Sequence, residues 1–179
     1  EWPTYIGPKC DEYMQANSKN VFADNSQVDE NWQYVFCKKA TAKREKYVGG
    51  CGDSFTFTAV ERNTKLLVAW HMGRRTQEHT ELFIKKLDAA VFGRFHISSD
   101  GWKSYPSTIK KHLGQRVDHG VMTKVYGRPI NYPISAYSPA RIIGEYRTPM
   151  HGDPYQPDKI CTSHVETHNA PIRCLTKRI

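Results

Sequence analysis

Three stretches of strand character precede the first long helical pattern, and that order commits the chain to a mixed sheet. In Val28-Asp29-Glu30-Asn31-Trp32-Gln33-Tyr34-Val35-Phe36 the apolar side chains fall on 28, 32, 34 and 36, the two-residue period of a strand. Asp29 then projects from the face opposite Trp32 and Tyr34, while its neighbour Glu30 points the other way and reads as structural. Two more strands, Ser54 to Val60 and Lys65 to His71, flank Glu61-Arg62-Asn63-Thr64, a polar connection of hairpin length. Thr76 is placed as an N-cap, after which Leu82, Phe83, Leu87, Ala90 and Val91 recur at helical spacing until Gly93. Hairpin-linked strands followed by a helical crossover give a mixed sheet flanked by helices, an α/β fold.

Phe95 to Asp100 reads as a short fourth strand, with Asp100-Gly101 turning the chain. Pro106 to Leu113 reads as a helix opened by proline and closed by Gly114. Residues 115 to 126 hold a fifth strand ending near Val125. From Gly127 to Pro157, prolines and tyrosines without periodicity predict a long loop. Thr162-Ser163-His164-Val165-Glu166 opens the final helix. The basic stretch Lys38 to Gly52 ends in Gly49-Gly50-Cys51-Gly52 and reads as a loop or flexible hairpin. Residues 1–26, rich in Pro, Asn, Asp and Lys, are expected to form an irregular arm with one helical turn near Asp11 to Ala16. A single domain over residues 27–179 follows. In this order an acidic residue falls in the first strand, at the end of the fourth, and on the last helix.

Composition narrows the partners. The 179 residues carry a net charge of +8 with a pI near 9.3, a balance that favours polyanions such as nucleic acid. No apolar run approaches the roughly 18 residues that span a bilayer. The first residues have neither a basic start nor a long apolar core, so no signal peptide is expected. Five cysteines, an odd number with no Cys-x-x-Cys pair, argue against a disulfide framework or zinc knuckle and for reduced thiols in an intracellular protein.

Phosphoryl transfer at a DNA backbone needs an activated oxygen nucleophile and charge relief on the leaving oxygen, and two divalent ions about 4 Å apart supply both. Magnesium is a hard cation that takes oxygen ligands, so three carboxylates converging from different elements suffice, one bridging both ions. Choosing three among 18 acidic residues takes more than composition.

Three segments in order resemble transposases of the first-named bacterial insertion-sequence family (insertion sequence 1 type), whose catalytic residues are Asp, Asp and Glu. The first is Val28-Asp29-Glu30-Asn31-Trp32-Gln33-Tyr34-Val35, followed by Phe55-Thr56-Phe57-Thr58-Ala59-Val60 and Thr64-Lys65-Leu66-Leu67-Val68-Ala69-Trp70. The second is Ser98-Ser99-Asp100-Gly101-Trp102-Lys103-Ser104-Tyr105. The third is Thr162-Ser163-His164-Val165-Glu166-Thr167-His168-Asn169, with Arg173 beyond it. Lys124-Val125-Tyr126-Gly127 and Tyr137-Ser138-Pro139-Ala140 also match, so the resemblance runs over about residues 27–179. It implies an RNase H-like fold of the retroviral-integrase superfamily with a five-stranded mixed sheet. It makes Asp29, Asp100 and Glu166 the catalytic residues and the ligands of two Mg2+ (or Mn2+) ions. The implied reaction is hydrolysis at transposon ends to free 3′-hydroxyls, then their attack on target DNA. The implied partners are double-stranded DNA, both ends and target, and a second copy of the chain in a homodimer or larger assembly, since joining two ends needs two active sites. The implied location is the bacterial cytoplasm or nucleoid, or the nucleus for a eukaryotic relative.

Each residue also has a plainer reading. Asp100-Gly101 is an ordinary turn dipeptide, and Ser163 to Glu166 fits a capping box in which Glu166 only satisfies backbone donors. His164 and His168 share a helix face, but Glu166 lies about 200° around from each, so the three do not surround one zinc ion. Lys103, Lys110, Lys111, His164, His168, Asn169, Arg173, Lys177 and Arg178 are candidate DNA contacts. Trp102 and Tyr105 are expected to be partly packed, beside the site.

Two features depart from the family. Its N-terminal zinc-binding segment and helix-turn-helix have no counterpart in the 26 residues ahead of the first strand, which hold one cysteine. Pro171 falls inside the last helix, where it is expected to cost about 3 kcal/mol or force a kink and so shorten the helix behind Glu166. A metal-dependent nuclease of the same fold, and a repurposed non-catalytic DNA-binding relative, are the competing functions.

Overall fold

The computed structural model describes residues 2–47, 50–127, 141–153 and 159–175. Helix α1 (Trp2–Asn17) and strand β1 (Val21–Phe22) lead into β2 (Asn25–Val35), helix α2 (Lys39–Arg44), β3 (Gly52–Glu61) and β4 (Leu67–Gly73). Helix α3 (Gln77–Ala90) and β5 (Val91–Phe92) follow, then β6 (Phe95–Ser99), α4 (Tyr105–Leu113), β7 (Val117–Gly127), β8 (Arg141–His151) and α5 (Ser163–Leu175). The main sheet has the order β4-β3-β2-β6-β7-β8, and β1 pairs with β5 in a separate two-stranded ladder. Strands β3 and β4 run antiparallel beside β2, β6 and β7 run parallel to it, and β8 closes the far edge antiparallel. The sheet is therefore mixed and helix-flanked, as expected for an RNase H-like arrangement, with six strands rather than five.

The extra strand is β8, which lies inside the stretch expected to be a loop. Its side chains are exposed along nearly the whole strand, so no hydrophobic alternation marks it. The ladder to β7, from His119↔His151 to Gly127↔Arg141, holds it instead. The Tyr137 to Ala140 match lies outside the described residues. A second correction concerns the N-terminus, where a 16-residue helix replaces the irregular arm. Lys86 of α3 grips Asp11 of that helix at 2.6 Å, and Ala23 just beyond it joins the core. Within the basic stretch 38–52, α2 is helical where a loop was expected.

The remaining elements follow their local signals. Thr76 caps α3 by accepting the His79 amide hydrogen bond. Glu61 ties the β3–β4 hairpin, its carboxylate accepting from the amides of Asn63 and Thr64. Gly114, at φ +51°, ends α4 in a backbone region closed to most side chains. One face of the sheet packs Val28, Phe57, Ala59 and Ile97 against Phe83, Ile84 and Leu87 of α3 and Ile109 of α4, all fully buried. The other face receives α5.

Candidate active site

The centre of the sheet is notched. Strand β6 stops at Ser99, level with Val28 on β2 and Val121 on β7. Its neighbours continue, β2 for another seven residues to Val35 and β7 for another six to Gly127, roughly 20 Å of extended chain on each side. Asp100 sits at the floor of this notch as the first residue past β6, its carboxylate held by the Trp102 amide at 2.9 Å.

Residues 29 and 30 of β2 have no strand beside them on the notch side. Their side chains leave opposite faces, as alternation requires, and both still reach the gap above Asp100. Carboxylate oxygens of Asp29, Glu30 and Asp100 lie within 4.8 Å of one another. Glu30 was read from sequence as structural; the structure brings it into the acidic cluster, with its side chain 2% exposed and Arg75 on it at 2.9 Å. Arg75 also reaches Asp100 at 3.3 Å, its guanidinium 4.4 Å above the Trp102 ring. Sequence periodicity carries no sign of Arg75, because its role depends on where β4 delivers the chain after Gly73.

Glu166 enters the same cleft from α5. The cleft, about 400 Å³, is lined by Asp29, Asp100 and Glu166 together with Arg75, Lys124 and Arg173 among others. The Glu166 carboxylate is bonded to Lys124 of β7 and accepts from the Thr162 hydroxyl at 2.6 Å. The amides of His164 and Val165 at the start of α5 are satisfied by the Gln27 side-chain oxygen, at 2.9 and 3.1 Å. The helix start thus has its cap from β2, which leaves the Glu166 side chain free of the capping-box role. Gly120 makes room for this approach, since a Cβ there would lie 2.5 Å from Ile160.

Asn169, one turn further, donates to Asp29 at 3.0 Å and accepts from Thr58 at 3.0 Å. Arg173 donates to Asn31 at 2.9 Å and lies 3.8 Å from Asp29. The helix runs on through Pro171 to Leu175, against the expectation that proline shortens it. Proline forfeits one bond to the carbonyl of the preceding turn, and Arg173 beyond it is tethered to β2. His164 instead faces Lys65, with Nδ1 3.0 Å from Nζ, and neither it nor His168 lines the cleft. His168 is half-buried, with Nδ1 unpaired. Lys103 and Lys110 are exposed, Lys111 is bonded to Glu81 at 3.1 Å, and none of these three lines the cleft. Lys177 and Arg178 lie outside the described residues.

The electrostatics of the cluster are those of crowded, desolvated acids. Burial is the largest influence on Asp29, which is held above its ordinary range although Asn169 opposes the rise. Burial raises Asp100 too, against the Trp102 amide and Arg75. Glu30 is pushed up to about 7, first by burial and then by Asp100. Beside it the fully buried Tyr105 hydroxyl is raised far above its usual value, again chiefly by burial. Burial first, and the neighbouring carboxylates after it, set these shifts.

The donor set suits a hard divalent cation: every ligand atom of the close group is a carboxylate oxygen. Among the described residues no helix is long and apolar enough to cross a membrane.

No protein-family model matches the chain, and no curated protein does. Among solved structures the chain is similar to the piggyBac transposase in a synaptic complex with hairpin DNA, at 16% identity and a TM-score of 0.37. That likeness covers 66% of this chain, which spans 27% of the transposase's length. A likeness that slight carries no argument, and the site is read from its own geometry.

Proposed function

We propose that this chain is a DNA transposase catalytic domain, a metal-dependent polynucleotidyl transferase that cuts at transposon ends and joins the freed 3′-hydroxyls to target DNA. The observation that carries the reading is that Asp29, Asp100 and Glu166 line one cleft, with Glu166 outside the close group of Asp29, Glu30 and Asp100. They come from a central strand, the end of its parallel neighbour and a distant helix, and they occupy the same three motifs that the sequence singled out.

In this reading Asp29, Asp100 and Glu166 hold two magnesium or manganese ions, which when bound supply Lewis-acid activation of the attacking oxygen and relief of charge on the leaving one. The protein's part is placement. The Trp102 amide fixes Asp100 and Asn169 fixes Asp29, so two ligands are oriented before substrate arrives. Gln27 anchors the start of α5 and with it Glu166. The net charge of +8 favours the approach of a duplex backbone to the cleft.

The test is nicking and strand transfer on DNA with a free 3′-hydroxyl, in Mg2+ or Mn2+, by wild type and Asp100→Asn. Joined products that vanish in the variant support transposition. Cut products without joining identify the plain nuclease, and DNA binding without turnover identifies a repurposed relative.

A further inference from the structure

Every carboxylate of the cleft already has a cation against it. Arg75 reaches Glu30 at 2.9 Å and Asp100 at 3.3 Å, Arg173 approaches Asp29 at 3.8 Å, and Lys124 is bonded to both oxygens of Glu166. Four acids thus face three basic groups. The pairs differ in burial: the Lys124 side chain is 16% exposed and Arg75 lies against Trp102 with its buried Nε unpaired, while the Arg173 side chain is 49% exposed. A divalent ion on the same oxygens would stand within a few ångströms of these charges, in a partly desolvated cleft where like charges repel strongly. An ion on Glu166 would have to share its oxygens with Lys124, at the cost of bringing two positive charges together. All three basic side chains line the cleft, and lysine and arginine are the residues that grip phosphate oxygens.

We infer, resting on the DNA-transfer reading above, that Arg75, Lys124 and Arg173 are built-in counter-ions of the metal-free site, which divalent ions displace onto the phosphates of bound DNA. The same three side chains serve the acids in one state and the substrate in the other. Metal and DNA then bind cooperatively, and thermodynamic reciprocity makes each tighten the other by the same factor. In the metal-free state the basic groups keep the carboxylates from repelling one another, and also weaken the site's hold on a lone ion.

The experiment is Mn2+ binding, read from the paramagnetic resonance signal of free Mn2+, for wild type, Lys124→Gln and Arg75→Gln, with and without a short DNA duplex. Without DNA, both variants are expected to bind Mn2+ about tenfold more tightly than wild type, because no cation has to be displaced. The duplex is expected to tighten Mn2+ binding in wild type and to do so less in the variants. Variants that bind no more tightly than wild type, or a duplex that leaves wild-type affinity unchanged, overturn the inference and leave the metal site standing. Wild type that binds no Mn2+ even with the duplex, or Asp100→Asn that binds it equally, overturns both readings. Melting in chelator checks that each variant folds; if Arg75→Gln does not, Lys124→Gln, on a strand arm away from the core, decides.

Discussion

The two faces of β2 are held by different forces. On one, Val28 is sealed among Phe57, Ala59, Phe83 and Ile84, all fully buried. On the other, Gln27, Asp29 and Asn31 are each bonded to α5, through its first amides, Asn169 and Arg173. Apolar burial is strong but non-directional, and it settles whether the sheet and its two helices exist at all. Hydrogen bonds are weaker and directional, and they settle where along β2 a helix sits. A helix that must deliver Glu166 to two carboxylates on other elements needs the second kind of constraint. The acids of the site are therefore found where the polar face meets the end of the notch.

The largest effect should come from the apolar face. Phe83 is fully buried against Phe57, with ring centroids 5.6 Å apart. Phe83→Ala is expected to cost about 3–5 kcal/mol in urea unfolding, a large part of the stability of a domain. The comparison breaks if a polar substitution under α5 costs more.

Glu30 lies on that apolar face and belongs chemically to the other. Its carboxyl, raised from 4.5 to about 7, holds its proton more tightly folded than unfolded. The contribution of Glu30 to stability is therefore fully present below about pH 4.5, is lost as pH rises from there to about 7, and is flat above, a total of about 3 kcal/mol. Glu30→Gln should flatten this stretch of a stability-against-pH curve in metal-free buffer. A slope unchanged by the substitution would place the proton elsewhere.

A smaller loss is expected from Asn169→Ala, which removes the bonds to Asp29 and Thr58. Leaving a buried carboxylate oxygen and hydroxyl without that partner costs about 1–3 kcal/mol. The variant sharpens the comparison because its loss of strand transfer should exceed what its stability explains. Parallel losses in melting temperature and activity would make α5 a merely structural cover.

How much of this was legible in the sequence depends on how far each residue's partner lies. Alternation over residues 28–36 put Asp29 on one face and Glu30 on the other, and both placements hold. What periodicity could not show is that β6 ends one residue short of them, so that opposite faces meet above Asp100. Thr76 and Gly114 announced their helix ends because capping is decided within a few residues. Strand β8 went unread because its exposed side chains have no pattern, and α1 because Pro8 and its polar neighbours look like an arm. Arg75 and Lys124 became site residues only through contacts 25 and 42 residues away in the chain.

The smallest expected change is the most diagnostic. Asp100→Asn removes a charge that burial and Glu166 both oppose, and the amide oxygen can still accept from Trp102. It also gives up the Arg75 ion pair. With the side chain about a third exposed, solvent screens both effects, so the metal-free variant should gain no more than about 1 kcal/mol. In a domain of this size that is about 2–4 °C in melting temperature. The same variant should lose the stabilisation that Mn2+ gives wild type, because binding to the folded state alone is what raises a melting temperature. A small gain without metal, joined to a complete loss of the response to metal, is what an acid kept for an ion and not for the fold must show. Wild type and variant shifting alike with Mn2+ would put the ion somewhere other than the notch.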